Sequence, residues 1–294
     1  MSHFFGIVLM CLAACSFGAS AILIKLAYLA GLQPSELLPL QNLVAVLCLW
    51  PIMLACGGLP KLELRQIRGL LWQGLLGNFA ISVCYFWSAQ RIDVSLLSIV
   101  LFTYPGFVLL YVMAVERRKI NASEYVALIL ALVGAALAVD PFRLTAARID
   151  RWGLILAVGA AASYAFMNIH GQKLTRDLSA LVITTITSTV STLALLAAFP
   201  FQHWLSSSFS LRQWLYIVGL GLLSTVIPLN LLYLGIRKIG ALHASIVSIV
   251  ELPCILVLAY FILHERMSFS QMLGGGMILL GLMLMRPAGS EASR

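Results

Sequence analysis

A chain of 294 residues that is 61% hydrophobic and only 10% charged excludes an ordinary soluble domain, which carries about 25% charge. The formal net charge of +8 does not read as a nucleic-acid footprint. The basic residues fall in short gaps between apolar runs, where they set topology and meet lipid headgroups.

In chain order the hydropathy predicts ten apolar segments, most near the roughly 20 residues a bilayer requires. The first spans 4–25. Its Leu12-Ala13-Ala14-Cys15 looks like a lipoprotein cleavage box. Yet the residues before it carry no Lys or Arg, which a signal peptide needs, and the run continues past Cys15. It is read as a transmembrane helix. The others are 36–56, 67–89, 93–115, 123–140, 152–172, 179–200, 212–235, 240–263 and 268–286. The gap at 201–210 is expected to lie at the interface, and the tail from Pro287 to be disordered. The expected fold is an all-α polytopic membrane protein with ten spans.

Twelve Lys and Arg fall on the side of the N-terminus and seven on the other. This bias predicts that both termini face the cytoplasm. The sequon Asn121-Ala122-Ser123 then falls on the cytoplasmic face and is discounted. The six cysteines lie in or at the ends of apolar segments, without a CxxC. They read as small core hydrophobes, and no metal site is expected.

The chain repeats itself at an offset of 147: Gly6 lies over Gly153, Ala13 over Ala160, Ala14 over Ala161, Ser16 over Ser163 and Ile22 over Ile169. Gly74 falls on Gly221, and Arg91 on Lys238. Tyr104-Pro105 falls near Leu252-Pro253, and Glu116-Arg117 near Glu265-Arg266. The predicted halves are 1–147 and 148–294, five helices each. An odd number of helices makes the second half enter from the opposite side, so the repeats are inverted. That is a transporter architecture, with substrate bound between the halves near the midplane.

Helices four and nine carry the more specific signal. Ala244-Ser245, Glu251-Leu252-Pro253, Glu265-Arg266 and a Gly-rich last helix (Gly274-Gly275-Gly276, Gly281) follow one another in the second half. Ser98, Tyr104-Pro105, Glu116-Arg117 and Gly134 do so in the first. This pattern resembles the drug/metabolite transporter superfamily, in particular its EamA-type members, over almost the whole chain. Length, apolar N-terminus and aromatic content look similar to YddG-type aromatic amino acid exporters. Family members often place an acid directly before this proline. Here Leu252 intervenes, which leaves the facing of Glu251 open.

Glu251 is the leading candidate, because a charge at mid-membrane costs about 2.5–3.5 kcal/mol. It could bind a substrate ammonium group or carry a proton. The alternative is a structural acid paired with His243, His170 or Asn230. Pro105 and Pro253 are expected kinks in equivalent helices, serving as hinges or cavity walls. Pro228 is a third kink, without a clear partner in helix three. Ser16, Asn42, Asn78, Tyr85, Tyr104 and Tyr164 sit at membrane depth, as do Asn168, Asn230, Tyr233 and Ser245. Each alone is more often helix–helix glue. As a set they suit a cavity for an amphipathic solute. The tryptophans other than Trp87 mark helix ends, and Lys25 and His170 can snorkel. The Ser/Thr-rich seventh helix is assigned no role, since such hydroxyls commonly bond their own carbonyls.

There is no P-loop, no complete dinucleotide fingerprint and no HExxH, so no cofactor is expected. The reading is an inner-membrane transporter, an exporter of amino acids (aromatic ones favoured) or related metabolites by alternating access. Its partners are a small molecule and the bilayer, with no nucleic acid; proton exchange is left open. The rivals are a lipid or drug-like cation flippase on the same fold and a membrane-embedded enzyme.

Overall fold

A computed structural model describes residues 2–140, 150–198 and 209–285. Most of the gap at 201–210, the tail from Pro287, Trp204 and the boundary at 147/148 lie outside the described residues. Among the described residues there are helices and no strands. Seven helices are long and apolar enough to cross a membrane, and three are shorter.

The chain runs through α1 (Ser2–Leu29), α2 (Pro34–Ala55), α3 (Leu64–Ala89) and α4 (Val94–Ala114). Then come α5 (Ala122–Ala138), α6 (Arg151–Leu174) and α7 (Ala180–Ala198). α8 covers 211–239, α9 covers 241–263 and α10 is Phe269–Leu284. Only Gly240 separates α8 from α9. Its φ of 79° and ψ of 165° belong to a region essentially closed to other residues.

Both kinked helices break where the sequence places proline. α4 is interrupted at 102–103 and α9 at 249–250, just ahead of Pro105 and Pro253. Another irregularity recurs without proline in both copies. α3 widens into a π-helical stretch over Gln73–Phe79 and α8 over Gly221–Val226. Pro228 follows the second stretch directly. Its counterpart at the 147-residue offset is Ile81, so the π segment is shared by both copies and the proline is not.

The packing exchanges the halves about a pseudo-twofold. A side chain on Gly6 would meet Ile239 and Lys238; one on Gly153 would meet Ile92 and Arg91. Each of these is the other's counterpart at the 147-residue offset. The same exchange joins α5 to α10. Gly134 faces the Gly274 carbonyl and Ile278, while Gly281 faces the Ala127 carbonyl and Ala131. Small residues let these backbones touch, which is how helices associate when lipid offers no hydrophobic drive. Apolar side chains such as Phe4, Leu47, Leu110 and Phe261 stay exposed at no cost, because the bilayer solvates them.

The two halves are not in the same state. Every residue of 241–250, the first half of α9, is buried. In the equivalent stretch 94–103 of α4, only Leu97 and Phe102 are.

Several buried polar groups are tied locally. Thr185, Thr189 and Thr192 of α7 donate to Leu181, Thr185 and Ser188 carbonyls, each at 2.7 Å. Trp50 is more than a belt residue, because its Nε1 donates to Thr189 Oγ1 at 3.1 Å. The cysteines are free, but Cys15 and Cys56 are exposed rather than core. Lys25 does not simply snorkel; it pairs with Glu265 of the link between α9 and α10.

Candidate functional site

The π segments aim polar side chains inward. Asn78 at the end of one and Thr225 in the other are counterparts at the 147-residue offset, and both line a cavity of about 250 Å³. A π turn inserts one residue per turn and commonly marks a functional site. Glu251 enters the cavity from the first turn of α9 beyond its break. The break frees α9 from helical register there, so the carboxylate faces inward despite the intervening Leu252.

The remaining wall divides by chemistry. Gln41 and Asn42 add amides from α2; Ser82, Ser191 and Ser224 add hydroxyls. Tyr164 and Phe17, again counterparts across the repeat, supply rings, with Phe102, Met167 and Leu229 completing an apolar side. Both halves contribute. None of the described residues lining the cavity carries a positive charge, and no described residue hydrogen-bonds or ion-pairs with Glu251. A larger hollow of about 460 Å³ lies beside Glu265, Arg266 and Gln271. It is lined only from the ends of α9 and α10, so it is not between the halves.

Other residues of the sequence-predicted set support the cavity from behind. Tyr104 is fully buried and stacks on Tyr164, with ring centroids 4.1 Å apart. Its hydroxyl donates to the Ser245 carbonyl at 3.0 Å, joining α4 to α9. The Ser245 hydroxyl donates to the Leu242 carbonyl of its own helix. Ser16 donates to the Leu223 carbonyl at 2.8 Å, in the second π segment. Asn168 and Asn230 donate to Tyr164 and Val226 carbonyls of their own helices. Tyr85 is within electrostatic reach of Glu251 and Tyr28 yet 36% exposed.

The residues offered as structural partners for Glu251 are engaged elsewhere. His243 lies against Glu124. His170 Nδ1 lies 2.9 Å from Gln73 Oε1. Asn230 bonds its own helix. Gln73 is fully buried and also donates to the Met167 carbonyl and to the Tyr233 hydroxyl at 3.0 Å. Sequence reasoning passed over Gln73, Gln41, Phe17, Ser82, Ser191, Ser224 and Thr225. The signal for Gln73 was a lone amide in an apolar run, and for Gln41 an amide beside Asn42.

Outside the spans, Arg91 Nη1 lies 3.1 Å from Asp150 Oδ2. Hydrogen bonds from this guanidinium and from the Trp152 amide hold the Asp150 carboxyl below the usual carboxylate range.

A model of an EamA-like transporter family matches residues 4–139 and again 151–286. An uncharacterized transporter of Archaeoglobus fulgidus is 27% identical over 209 residues, covering 70% of this chain and 72% of its own. The uncharacterized transporter YcbK of Bacillus subtilis is 21% identical and covers 92% and 89%. The pseudopaline exporter CntI of Pseudomonas aeruginosa is 27% identical, with 74% of each chain covered. A solved crystal structure matches with a TM-score of 0.75 over 96% of each chain, at 15% identity, and so shares the fold. The names of these relatives give no support to the narrower likeness to YddG-type exporters. With two successive matches over nearly all of its length, this multi-pass membrane protein belongs to the EamA-like transporter family.

Proposed function

We propose that the protein exports amino acids or related small metabolites across the plasma membrane by alternating access, with aromatic amino acids favoured. The observation that carries this is Glu251, an acid without a hydrogen-bond or ion-pair partner among the described residues, in a cavity walled by both halves. With no described cation on that wall, the site suits a solute bearing an ammonium group. The amides of Gln41, Asn42 and Asn78 would meet its carboxylate or other polar end, and Phe17 and Tyr164 its apolar part. About 250 Å³ suits a solute of amino-acid size.

Alternating access draws support from the unequal packing of equivalent stretches. Burial of 241–250 closes one end, while 94–103 is looser at the other. Exchanging the two packings between halves 1–147 and 148–294 would reverse the opening. The Lys and Arg bias supports a cytoplasmic position for the closed end and both termini. Export is in keeping with CntI, a relative named as an exporter. Transport rather than catalysis fits a site with one acid. Intramembrane hydrolysis needs a paired acid, a nucleophile with its base, or metal ligands, and among the described residues no group of three could hold a metal.

The test is flux in proteoliposomes loaded with labelled aromatic or aliphatic amino acids, with and without a pH gradient. Saturable release of the aromatic ones, competed by unlabelled forms, is expected. No release of any amino acid overturns the substrate class and turns the choice to another metabolite, a drug-like cation or lipid. Reporter fusions at the C-terminus test the orientation.

A further inference from the structure

The pseudo-twofold lets each contact at one end of the bundle be set against its counterpart at the other. One kind is made at both ends. Gly6 packs on Ile239 and Lys238, and Gly153 packs on Ile92 and Arg91. Another kind is made at one end only. Gln172, in the last turn of α6, accepts from the Ala241 amide with its Oε1, and the same oxygen lies beside Gly240. This bond ties α6 to the break that starts α9, at the end where 241–250 is buried.

At the 147-residue offset Gln172 falls on Lys25, Gly240 on Asp93 and Ala241 on Val94. The equivalent contact would join Lys25, near the end of α1, to Asp93 at the head of α4. It is not made here. Lys25 instead pairs with Glu265, and the two side chains are 53% and 49% exposed. The Asp93 carboxylate caps no amide of α4. It has no hydrogen-bond or ion-pair partner among the described residues. Arg91, two residues away, is held by Asp150.

We propose that Lys25 is a charge switch at the end opposite the N-terminus, paired with Glu265 while that end is open and with Asp93 when it closes. This inference rests on the alternating-access reading above. Closing that end gives 94–103 the packing that 241–250 has now. The head of α4 then meets the end of α1, as the head of α9 meets the end of α6 at the other end. There the partner of Gln172 is a backbone amide beside a glycine. Here the sequence puts opposite charges at both positions. A Lys ammonium on its flexible four-carbon stem can reach either acid, but it brings one charge, so the two acids compete for it. Exposed ion pairs are weak. Exchanging one for the other keeps the two states close in free energy, as a carrier that visits both requires.

Removing either acid therefore acts in opposite directions. Without Glu265, Lys25 is left to Asp93, which favours closing this end and opening the other. Without Asp93 the balance shifts the other way. The readout is maleimide labelling of Val247→Cys, at a position buried in the closed stretch and remote from all three charged groups. The full-length protein lacks its native cysteines, and no substrate is present. Glu265→Gln is expected to speed the labelling and Asp93→Asn to slow it, each by up to about fivefold, the ceiling for an exposed pair. Added to Lys25→Met, both substitutions are expected to leave the rate unchanged. In a separate variant carrying Lys25→Cys and Asp93→Cys, a short bismaleimide is expected to bridge the two introduced thiols. Unchanged rates together with no bridge overturn the switch, and so do shifts that persist in Lys25→Met. A bridge formed with unchanged rates at Val247→Cys keeps the contact between α1 and α4 and removes alternating access, so the two failures are told apart.

Discussion

At the scale of single residues, most polar groups of the candidate set bind one another, while Glu251 has no hydrogen-bond or ion-pair partner among the described residues. Gln73, Tyr233 and His170 saturate each other; Asn168 and Asn230 turn back on their own helices. Glu251 is left facing the cavity. Replacing it with glutamine keeps the shape and removes the titratable charge, so any pH dependence of flux that arises in the cavity is expected to disappear in Glu251→Gln. Flux measured across a pH series checks this, and an unchanged profile removes Glu251 from the mechanism. Asp150 makes a second prediction. Its carboxyl is depressed by Arg91, so the pair's contribution is present above the unfolded carboxylate value of about 3.9. It is lost as pH falls through the folded value. Melting temperatures of wild type and Arg91→Gln are expected to differ slightly near neutral pH and to converge in acid. The difference is small because the carboxylate is solvated and screened.

At the scale of elements, glycine decides where helices end and how near they come. Gly240 at φ 79° and ψ 165° is expected to cost about 1–3 kcal/mol when replaced by alanine, read as a lower melting temperature. Gly274 is different in kind. A methyl group there runs into the backbone of Ala138 and Gly134, so Gly274→Ala must push α10 off α5, at about 1–3 kcal/mol. Gly276 on the same helix has nothing within 4 Å, and Gly276→Ala is expected to be neutral or mildly stabilising. The comparison of the two alanine variants separates close packing from helix propensity.

At the scale of the whole molecule, the pseudo-symmetry relates two stretches that the structure packs differently. In a variant without native cysteines, Val94→Cys is expected to react quickly with a maleimide and Val247→Cys slowly. One is 55% exposed and the other fully buried. If the halves exchange packings during transport, saturating substrate changes the two labelling rates in opposite directions. Parallel changes, or none, contradict alternating access.

Much of this was legible in the chain because bilayer physics makes it local. A span needs only a run of apolar residues, so ten segments, their order and the two-repeat inverted fold could be read from hydropathy and the 147-residue offset. The breaks in α4 and α9 follow from proline's missing N–H and its clash with the preceding turn. What faces the cavity is not local. Whether a buried polar residue binds a solute or a neighbouring helix depends on which atoms come within about 3 Å, and those atoms sit on helices far away in sequence. Only the tertiary structure could therefore turn Glu251 inward, place Tyr104 behind Tyr164 and give the π segments the role that Pro228 had suggested for a kink. The same distance-dependence assigned His243 to Glu124 rather than to Glu251. Glu124 itself escaped notice because an acid in a helix's first turn reads as an N-terminal cap. The sequence by itself determined how many apolar helices there are and which are equivalent; the packing alone decided that Glu251 faces the cavity without a described partner and that 241–250 is buried while 94–103 is not.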